Sequence, residues 1–477
     1  MRPLLIALLA SAALSACAAG PDYRRPALPQ ADAPDYRRVQ AELNAAPDAR
    51  PAPAASPAPV MNQAVSADWW TTFQSPVLNR LIEAAHKANP TVEAATAALR
   101  QAQEQARVET GALWPQVGLT AGGARQRDGA GARNVYTLYN ASVGVAYDPD
   151  LFGGQRRRGE GARAEAEARA FELGAAYAAL DANVATTAIQ AAALRRQITL
   201  SDEAIAAQQR LLSILKDRLQ VGEGSPSDVA QQEALLAQTQ ADAPALAKAL
   251  AERRNQLAVY LGRAPRDLDD DVLALEDLHL PQQVPVSLPA TLLEQRPDIR
   301  AAEARLKAAN AEIGVATAAL LPQVLISGAY GGNAGKVSQL FDGPGLAWSL
   351  AGAVTQSVFD GGQRRHQRRA AQAGYDEAAA AYRGVALNAF KDVADVLYAL
   401  DFDAQTLGAR RAASQAARRS FDLAQTRYRD GGEGFVTVLT SQDASLRAQM
   451  AEAQAQAQQL ADVVALYQAL GGGWTPR

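Results

Sequence analysis

The chain has 477 residues, 48% of them hydrophobic and 20% charged, and a formal net charge of −3. Cations and anions are interspersed along it, which excludes a basic face for nucleic acid, and long runs with few Pro or Gly breaks exclude three compact globular cores. A single cysteine, Cys17, excludes a disulfide framework within the chain.

In chain order, Met1-Arg2 is followed by an apolar stretch from Leu4 to Leu14, too short to span a bilayer as a helix, and then by Leu14-Ser15-Ala16-Cys17. This resembles a bacterial lipoprotein signal ending in a lipobox. The resemblance implies that residues 1–16 are removed, that the Cys17 sulfur carries diacylglycerol and that the new amino end carries a further acyl chain such as palmitate. Ala18 after the cysteine implies sorting to the outer membrane, and several acyl chains together hold a protein firmly at a bilayer. Residues 17–62, rich in Pro and Ala, read as a lipidated tether. In a polyproline conformation it reaches well over ~100 Å at about 3.1 Å per residue. Whether it packs on the body is left open by the sequence.

Ordered structure is expected from Asp68-Trp69-Trp70 onward. Ser75-Pro76 opens an amphipathic helix with Val77, Leu78, Leu81, Ile82 and Ala85 on one side, and Asn89-Pro90 breaks it. A second helix runs from Pro90 to Leu113 and meets Ala-Leu-Trp-Pro-Gln-Val at 112–117. The chain says this again as Ala-Leu-Leu-Pro-Gln-Val at 319–324, 207 residues on, after a twin helix from Pro297 to Leu320. The first copy leads to Phe-Gly-Gly-Gln-Arg-Arg at 152–157 and the second to Phe-Asp-Gly-Gly-Gln-Arg-Arg at 359–365. The chain therefore holds two copies of one unit, 63–262 and 263–477.

After each proline the period changes from helical to two. Val117, Leu119 and Ala121 alternate with Gln116, Gly118 and Thr120; Tyr139, Val143, Val145 and Tyr147 alternate with Asn140, Ser142, Gly144 and Ala146. In the second copy Val324, Ile326 and Tyr330 oppose Gln323, Ser327 and Ala329, and Trp348, Leu350 and Val354 oppose Ser349, Ala351 and Thr355. One apolar face and one small, polar face are the pattern of transmembrane β-strands, expected at about 115–125, 135–150, 322–332 and 346–359. Soluble amphipathic hairpins would alternate in the same way. Pro115, Pro322, Gly153, Gly154, Gly361 and Gly362 are expected to turn the chain at the membrane boundary. Four strands cannot close a barrel and an open edge cannot sit in lipid, so spanning strands require oligomerisation. Arg156-Arg157-Arg158 and Arg364-Arg365 with Arg368-Arg369 start the next helices, where cations oppose the helix dipole. Lipid phosphates, or Glu160, Glu165 and Glu167, would offset that cost.

Those helices carry a heptad spacing from Gln155 to Leu219 and from Gln363 to Tyr428, roughly 98 Å each at 1.5 Å per residue. Each ends at a glycine turn, Gly222-Glu223-Gly224 or Gly431-Gly432-Glu433-Gly434, and a returning helix of about 36 residues follows. A return helix and a pre-strand helix together nearly match one long helix, so the short ones are expected to stack end to end at a belt.

The lipobox, Asp68-Trp69-Trp70, the two Pro-Gln turns, Phe152-Gly153-Gly154, Phe359-Asp360-Gly361-Gly362, Arg427-Tyr428-Arg429-Asp430-Gly431 and the ending from Tyr467 to Trp474 together resemble the TolC-like outer-membrane efflux proteins, and among them the NodT-type lipoproteins. The resemblance implies a mainly α fold with membrane β structure. In it a homotrimer forms a twelve-stranded barrel, four strands per chain, continued by a periplasmic α-helical barrel with an equatorial mixed domain. It implies a passive exit duct in a tripartite efflux system with a periplasmic adaptor and an inner-membrane transporter, of RND type, and with outer-membrane lipid as a further partner. Gly222, Gly224, Asp422, Gln425, Arg427, Arg429, Asp430 and Gly431 would then lie at the tip, where an adaptor docks and ion pairs between protomers latch the aperture; a solvated helix end is the plainer reading. No catalytic, metal or cofactor residues are expected: His86, His279 and His366 lack ligand spacing, and no phosphate loop is present. The alternatives are an exit duct for type I protein secretion and a lipid-anchored coiled-coil scaffold.

Overall fold

The computed structural model describes residues 19–26, 57–61, 65–127, 135–267, 273–286 and 295–474; Cys17 and most of the expected tether lie outside them. In order the elements are β1 (Ala58–Met61), a 3-10 turn (Trp69–Phe73), α1 (Pro76–Ala88), α2 (Pro90–Gly111), β2 (Gln116–Arg127), β3 (Val135–Tyr147), α3 (Gly154–Gln220), α4 (Pro226–Tyr260), β4 (Gln283–Val286), α5 (Pro297–Ala318), β5 (Gln323–Ala334), β6 (Leu346–Thr355), α6 (Gln363–Arg429) and α7 (Phe435–Ala469). The duplication is visible in the lengths. α2 and α5 both have 22 residues, α3 and α6 both have 67, and α4 and α7 both have 35.

Local chemistry sets these boundaries. Pro76 occupies the first turn of α1, and Ser75 Oγ accepts the Leu78 N–H at 3.3 Å. α2 and α5 stop before Trp114 and Leu321, short of the expected ends, because a residue preceding proline is pushed out of the helical region. β3 ends at Tyr147 and β6 at Thr355, inside the expected 150 and 359; Pro149 has no N–H to continue a ladder. All four long helices close with a left-handed glycine: Gly222 (φ 80°), Gly262 (64°), Gly431 (78°) and Gly471 (100°). In the first, Gly222 N–H donates to Leu219 O at 3.1 Å and Glu223 N–H to Arg218 O at 2.9 Å, a Schellman motif.

The chain divides into two compact units, each drawing on both copies of the repeat. The first unit comprises residues up to 27, 97–170 and 301–384 and holds the four-stranded sheet. Its helical packing is made by small residues: Ala106, Ala164, Ala168, Ala304 and Ala311 are buried, and a Cβ on Gly161 would touch Ala311 at 3.5 Å. The second unit holds the short parallel pair β1-β4 and a core of Trp69, Phe73, Leu78, Ile82, Leu261, Leu275 and Ile299. Trp69 stacks on Tyr467 with ring centres 5.0 Å apart. In α3 the expected heptad positions Leu180, Val184, Thr187 and Ala191 are buried together with Ala185, Ala188 and Ile189. Among the described residues no helix is long and apolar enough to cross a membrane.

The sheet has the order β2-β3-β5-β6 and is antiparallel throughout. Its register sorts the side chains into rows. Leu119, Val143, Tyr330 and Trp348 stand directly opposite one another across all four strands, and Val117, Val145, Gly328 and Leu350 form the next row on the same face. Between them lie Gly118, Gly144, Ala329 and Ser349 on the other face, then Thr120, Ser142, Gly331 and Ala347. The alternation expected from the sequence is thus one continuous apolar face backed by a small, polar one. Leu325, opposite Ala353, is an apolar exception on the small face. On the apolar face Leu119 and Trp348 are each 77% exposed in the single chain, which lipid would cover. β2 and β6 are the open edges.

Replacing Val143 or Val145 by Arg is expected to cost about 2–4 kcal/mol near a bilayer midplane and to lower the amount of assembled protein in outer membranes. Arg at Ser142 or Gly144 should be better tolerated, since a Cβ on Gly144 meets nothing closer than Gly328 O at 3.9 Å. Immunoblots of outer-membrane fractions that show equal loss from both pairs would reverse the facing.

Candidate functional site

At the foot of the strands, in the first unit, a carboxylate caps each of the two 67-residue helices, α3 and α6. Asp150 accepts the N–H groups of Gln155 (2.8 Å) and Arg156 (2.9 Å), and Asp360 accepts those of Gly362 (2.9 Å) and Arg364 (3.3 Å). These anions offset the cost of cations in the first turn. The expected boundary turns are where the chain reverses: Gly153, Gly361 and Gly362 have φ of 75°, 62° and 90°. A Cβ on Gly154 would come within 3.0 Å of that of Ala318, so the strand-to-helix turn packs directly on the end of α5. A shallow cavity of about 200 Å³ brings Gly154 and Pro322 together with Arg158 and Arg364. Pro115 lies in the other turn, between α2 and β2.

The arginines of the first cluster find partners inside the chain. Arg156 pairs with Asp150 at 3.2 Å; buried Arg157 pairs with Glu160 and Asp22, both at 2.7 Å. Glu165 and Glu167, the other expected partners, pair instead with Arg169 and Lys307. Asp22 belongs to a segment that the sequence alone left as tether and that packs on the helices. Ala19 N–H donates to Phe152 O at 2.9 Å, Asn310 Nδ2–H to Pro21 O at 2.9 Å, and Arg25 grips Glu303 with bonds of 2.8 and 2.5 Å. Tyr23 hydroxyl donates to Glu303 at 3.3 Å, and burial, then the Glu303 charge, raises its pKa. Gly20 lies so close to Gly314 that a Cβ would sit 2.5 Å from the Gly314 Cα.

In the second unit the short helices meet end to end, once per repeat. Asn89 Nδ2–H donates to Tyr260 O at 2.9 Å, joining the end of α4 to the start of α2. Arg296, the equivalent residue 207 positions on, donates to Ala469 O at 3.1 Å and joins α7 to α5. Arg296 also holds Asp298 at 2.6 Å and Asp392 at 3.4 Å. Burial works against its charge, and the two carboxylates outweigh it, so its pKa is raised. These joints sit beside half-buried His86, which pairs with Asp181 and packs its ring against Trp70 and Tyr177, and beside Trp474, whose ring meets Phe171 at 5.5 Å. Burial raises the Asp181 pKa against the lowering by His86.

The two glycine-turn tips are brought together, also in the second unit. Leu215 and Val229 from one hairpin bury against Ala424, Phe435, Val438 and Leu439 from the other, and Arg218 lies over the Tyr428 ring at 5.8 Å. Gly224 is required by space, since a Cβ would sit 2.7 Å from Leu219 N. Asp422, Arg427, Arg429 and Asp430 are exposed and Gln425 is half-buried; Arg427 approaches Glu433 of its own chain at 3.9 Å. Further along α6 and α7, Asp462 accepts from Gln458 at 2.9 Å while its other oxygen is buried without a partner. Burial, reinforced by the adjoining Asp403 carboxyl, pushes its pKa up to about 7.

A model of the outer membrane efflux protein family matches residues 81–263 and 288–472. The pyoverdine export outer membrane protein OpmQ of Pseudomonas putida is 34% identical over 417 residues, covering 85% of this chain and 88% of that protein. Outer membrane protein OprJ of Pseudomonas aeruginosa is 30% identical over 98% of this chain and 95% of its own. The solved outer-membrane channel OprN is 29% identical, with a TM-score of 0.84 over 96% of this chain and all of that one.

Because the Asp462 pKa is higher folded than unfolded, the folded state holds a proton that the unfolded chain releases between about pH 4 and about pH 7. Stability therefore falls as pH rises through that window, and Asp462→Asn should flatten the fall. Thermal melting of both proteins at pH 5 and pH 8 reads this: equal slopes would show that Asp462 is not the responsive group. At the tip, Gly431→Val forces a β-branched residue into φ 78° and should cost about 1–2 kcal/mol, read as a lower melting temperature.

Proposed function

The chain belongs to the outer membrane efflux protein family, and from that premise we propose how its parts make an exit duct. It is an outer-membrane channel component of an efflux system with the TolC-like fold. The observation that carries the finer reading is the four-stranded sheet with two open edges and one apolar face. Three chains joined edge to edge make a twelve-stranded barrel in which every strand has two neighbours. Each chain then adds α3 and α6 with their shorter companions to a helical wall, and the two repeats, 63–262 and 263–477, contribute alike.

In this reading Cys17 carries the lipid. The bond from Ala19 N–H to Phe152 O ties the segment downstream of it to the foot of β3. Any lipid attached two residues before Ala19 enters the membrane beside that foot, since two residues of chain span at most about 7 Å. The duct is passive, and its energy comes from an inner-membrane transporter of RND type coupled through a periplasmic adaptor. The adaptor meets the tip formed by Gly222, Gly224 and Gly431, where Asp422, Gln425, Arg427, Arg429 and Asp430 face neighbouring protomers and restrict the opening. The cargo is a small molecule, as it is for OpmQ, which is named for pyoverdine export. A protein cargo is the lesser reading, and a lipid-anchored coiled-coil scaffold leaves the continuous apolar face without a purpose.

Native mass spectrometry of protein extracted from outer membranes in mild detergent should give a trimer with acyl mass on every chain, and Cys17→Ser should lose the acyl mass alone. A monomer would leave the sheet edges unsatisfied and put the lipid-anchored scaffold ahead of the duct.

A further inference from the structure

Aligning the two copies on Gln-Arg-Arg at 155–157 and 363–365 sets Arg157 against Arg365 and Glu160 against Arg368. In the first copy Arg157 is buried and neutralised by Glu160 and Asp22. In the second copy the carboxylate has become a third cation. Arg365, Arg368 and Arg369 share one face of the first turns of α6 at i, i+3 and i+4, all three are exposed, and none has an ion pair among the described residues. Asp360, the carboxylate just before this helix in sequence, is committed to Arg364 and the helix cap. Three like charges at this spacing repel one another and oppose the helix dipole, so the arrangement is unfavourable without an outside anion.

The chain just before this cluster shows where that anion comes from. Val358 and Phe359 lie between the last residue of β6, Thr355, and the first turn of α6, and they are 96% and 90% exposed. In the first copy Trp114, in the turn before β2, is 73% exposed. Apolar side chains followed by a basic helix face, at the end of a lipid-facing strand, fit the layering of acyl chain and phosphate at a membrane interface. We infer that Arg365, Arg368 and Arg369, with Val358 and Phe359, form a binding site for the headgroup of an anionic phospholipid of the adjoining leaflet. This rests on the reading of the strands as membrane-spanning.

The test titrates the full-length protein in detergent with phosphatidylglycerol or with phosphatidylcholine of the same chains, and native mass spectrometry reads the lipid retained. Wild type should retain phosphatidylglycerol at lower concentrations than phosphatidylcholine. Arg368→Glu restores the carboxylate of the first copy, gives Arg365 an internal partner and should weaken phosphatidylglycerol retention roughly thirtyfold, on the basis of two charge units near a phosphate. Substitution of all three arginines by Lys should keep most of it. Equal phosphatidylglycerol retention by wild type, Arg368→Glu and a variant with all three arginines changed to Ala would overturn the inference. Loss of subunit assembly in Arg368→Glu with lipid retention unchanged would assign the cluster to a neighbouring protomer and overturn it as well. Absence of heat-modifiable, barrel-like gel migration in the wild type would instead remove the membrane-spanning reading, and the lipid site with it.

Discussion

Lipid offers nothing to a backbone N–H or C=O. A four-stranded sheet whose outer face carries Leu119, Val143, Tyr330 and Trp348 in one row suits hydrocarbon on that face, yet β2 and β6 end it with unpaired ladders. Each unmet group costs several kcal/mol in a bilayer. The edge therefore decides the assembly: either the face stays out of the membrane, or another copy supplies the missing strands. The closure proposed above answers this demand without a single new side-chain contact, because β2 of one chain and β6 of the next bring complementary rows of donors and acceptors.

The helices meet a different demand. They are too polar to be pulled together by a large apolar stripe, and their buried positions are mostly small: Ala182, Ala185, Ala188, Ala191, Ala192 and Ala193 on α3 alone. Small residues allow close axes, so packing contacts replace bulk. Helix ends are the costly places in such an arrangement, since the last turn of each leaves carbonyls unsatisfied. Glycine closes all four long helices in the same way, and the side chains of Asn89 and Arg296 then reach carbonyls the turns leave over. At each joint the negative end of one helix dipole meets the positive end of another, so end-to-end stacking is electrostatically self-consistent.

Period-two segments were readable because alternation is a local property: the rows at Leu119 and Val117 follow from it almost residue for residue, while Leu325, which breaks it, sits opposite Ala353. Helix lengths were readable because glycine and proline mark both ends, and the stacked short helices followed from comparing those lengths. What stayed hidden depends on partners far away in sequence. Asn89 read only as a helix breaker ahead of proline and Arg296 as the residue before the next helix, since their carbonyl partners lie 171 and 173 residues off. Docking of residues 19–26 was equally invisible, because Glu303 and Asn310 are nearly 300 residues from it and Ala-Pro composition suggests only a spacer. A usable signal did exist in the matched offset of 207 between the two pre-proline polar residues.

Comparing the copies separates what the fold needs from what its surroundings need. Asp150 and Asp360 do the same capping work with the same residue type, and Asn89 and Arg296 do the same joining work with different ones. In both cases the backbone group to be satisfied is common to the two copies, so any side chain with a donor or acceptor of suitable reach will serve. Glu160 and Arg368 occupy equivalent places with opposite charge, and no backbone group depends on either. Arg157 is covered by the docked segment carrying Asp22, whereas Arg365 lies open. Glu160 thus answers a cation inside the chain, and Arg368, which has no ion pair among the described residues, is left under the lipid-site inference to answer an anion outside it.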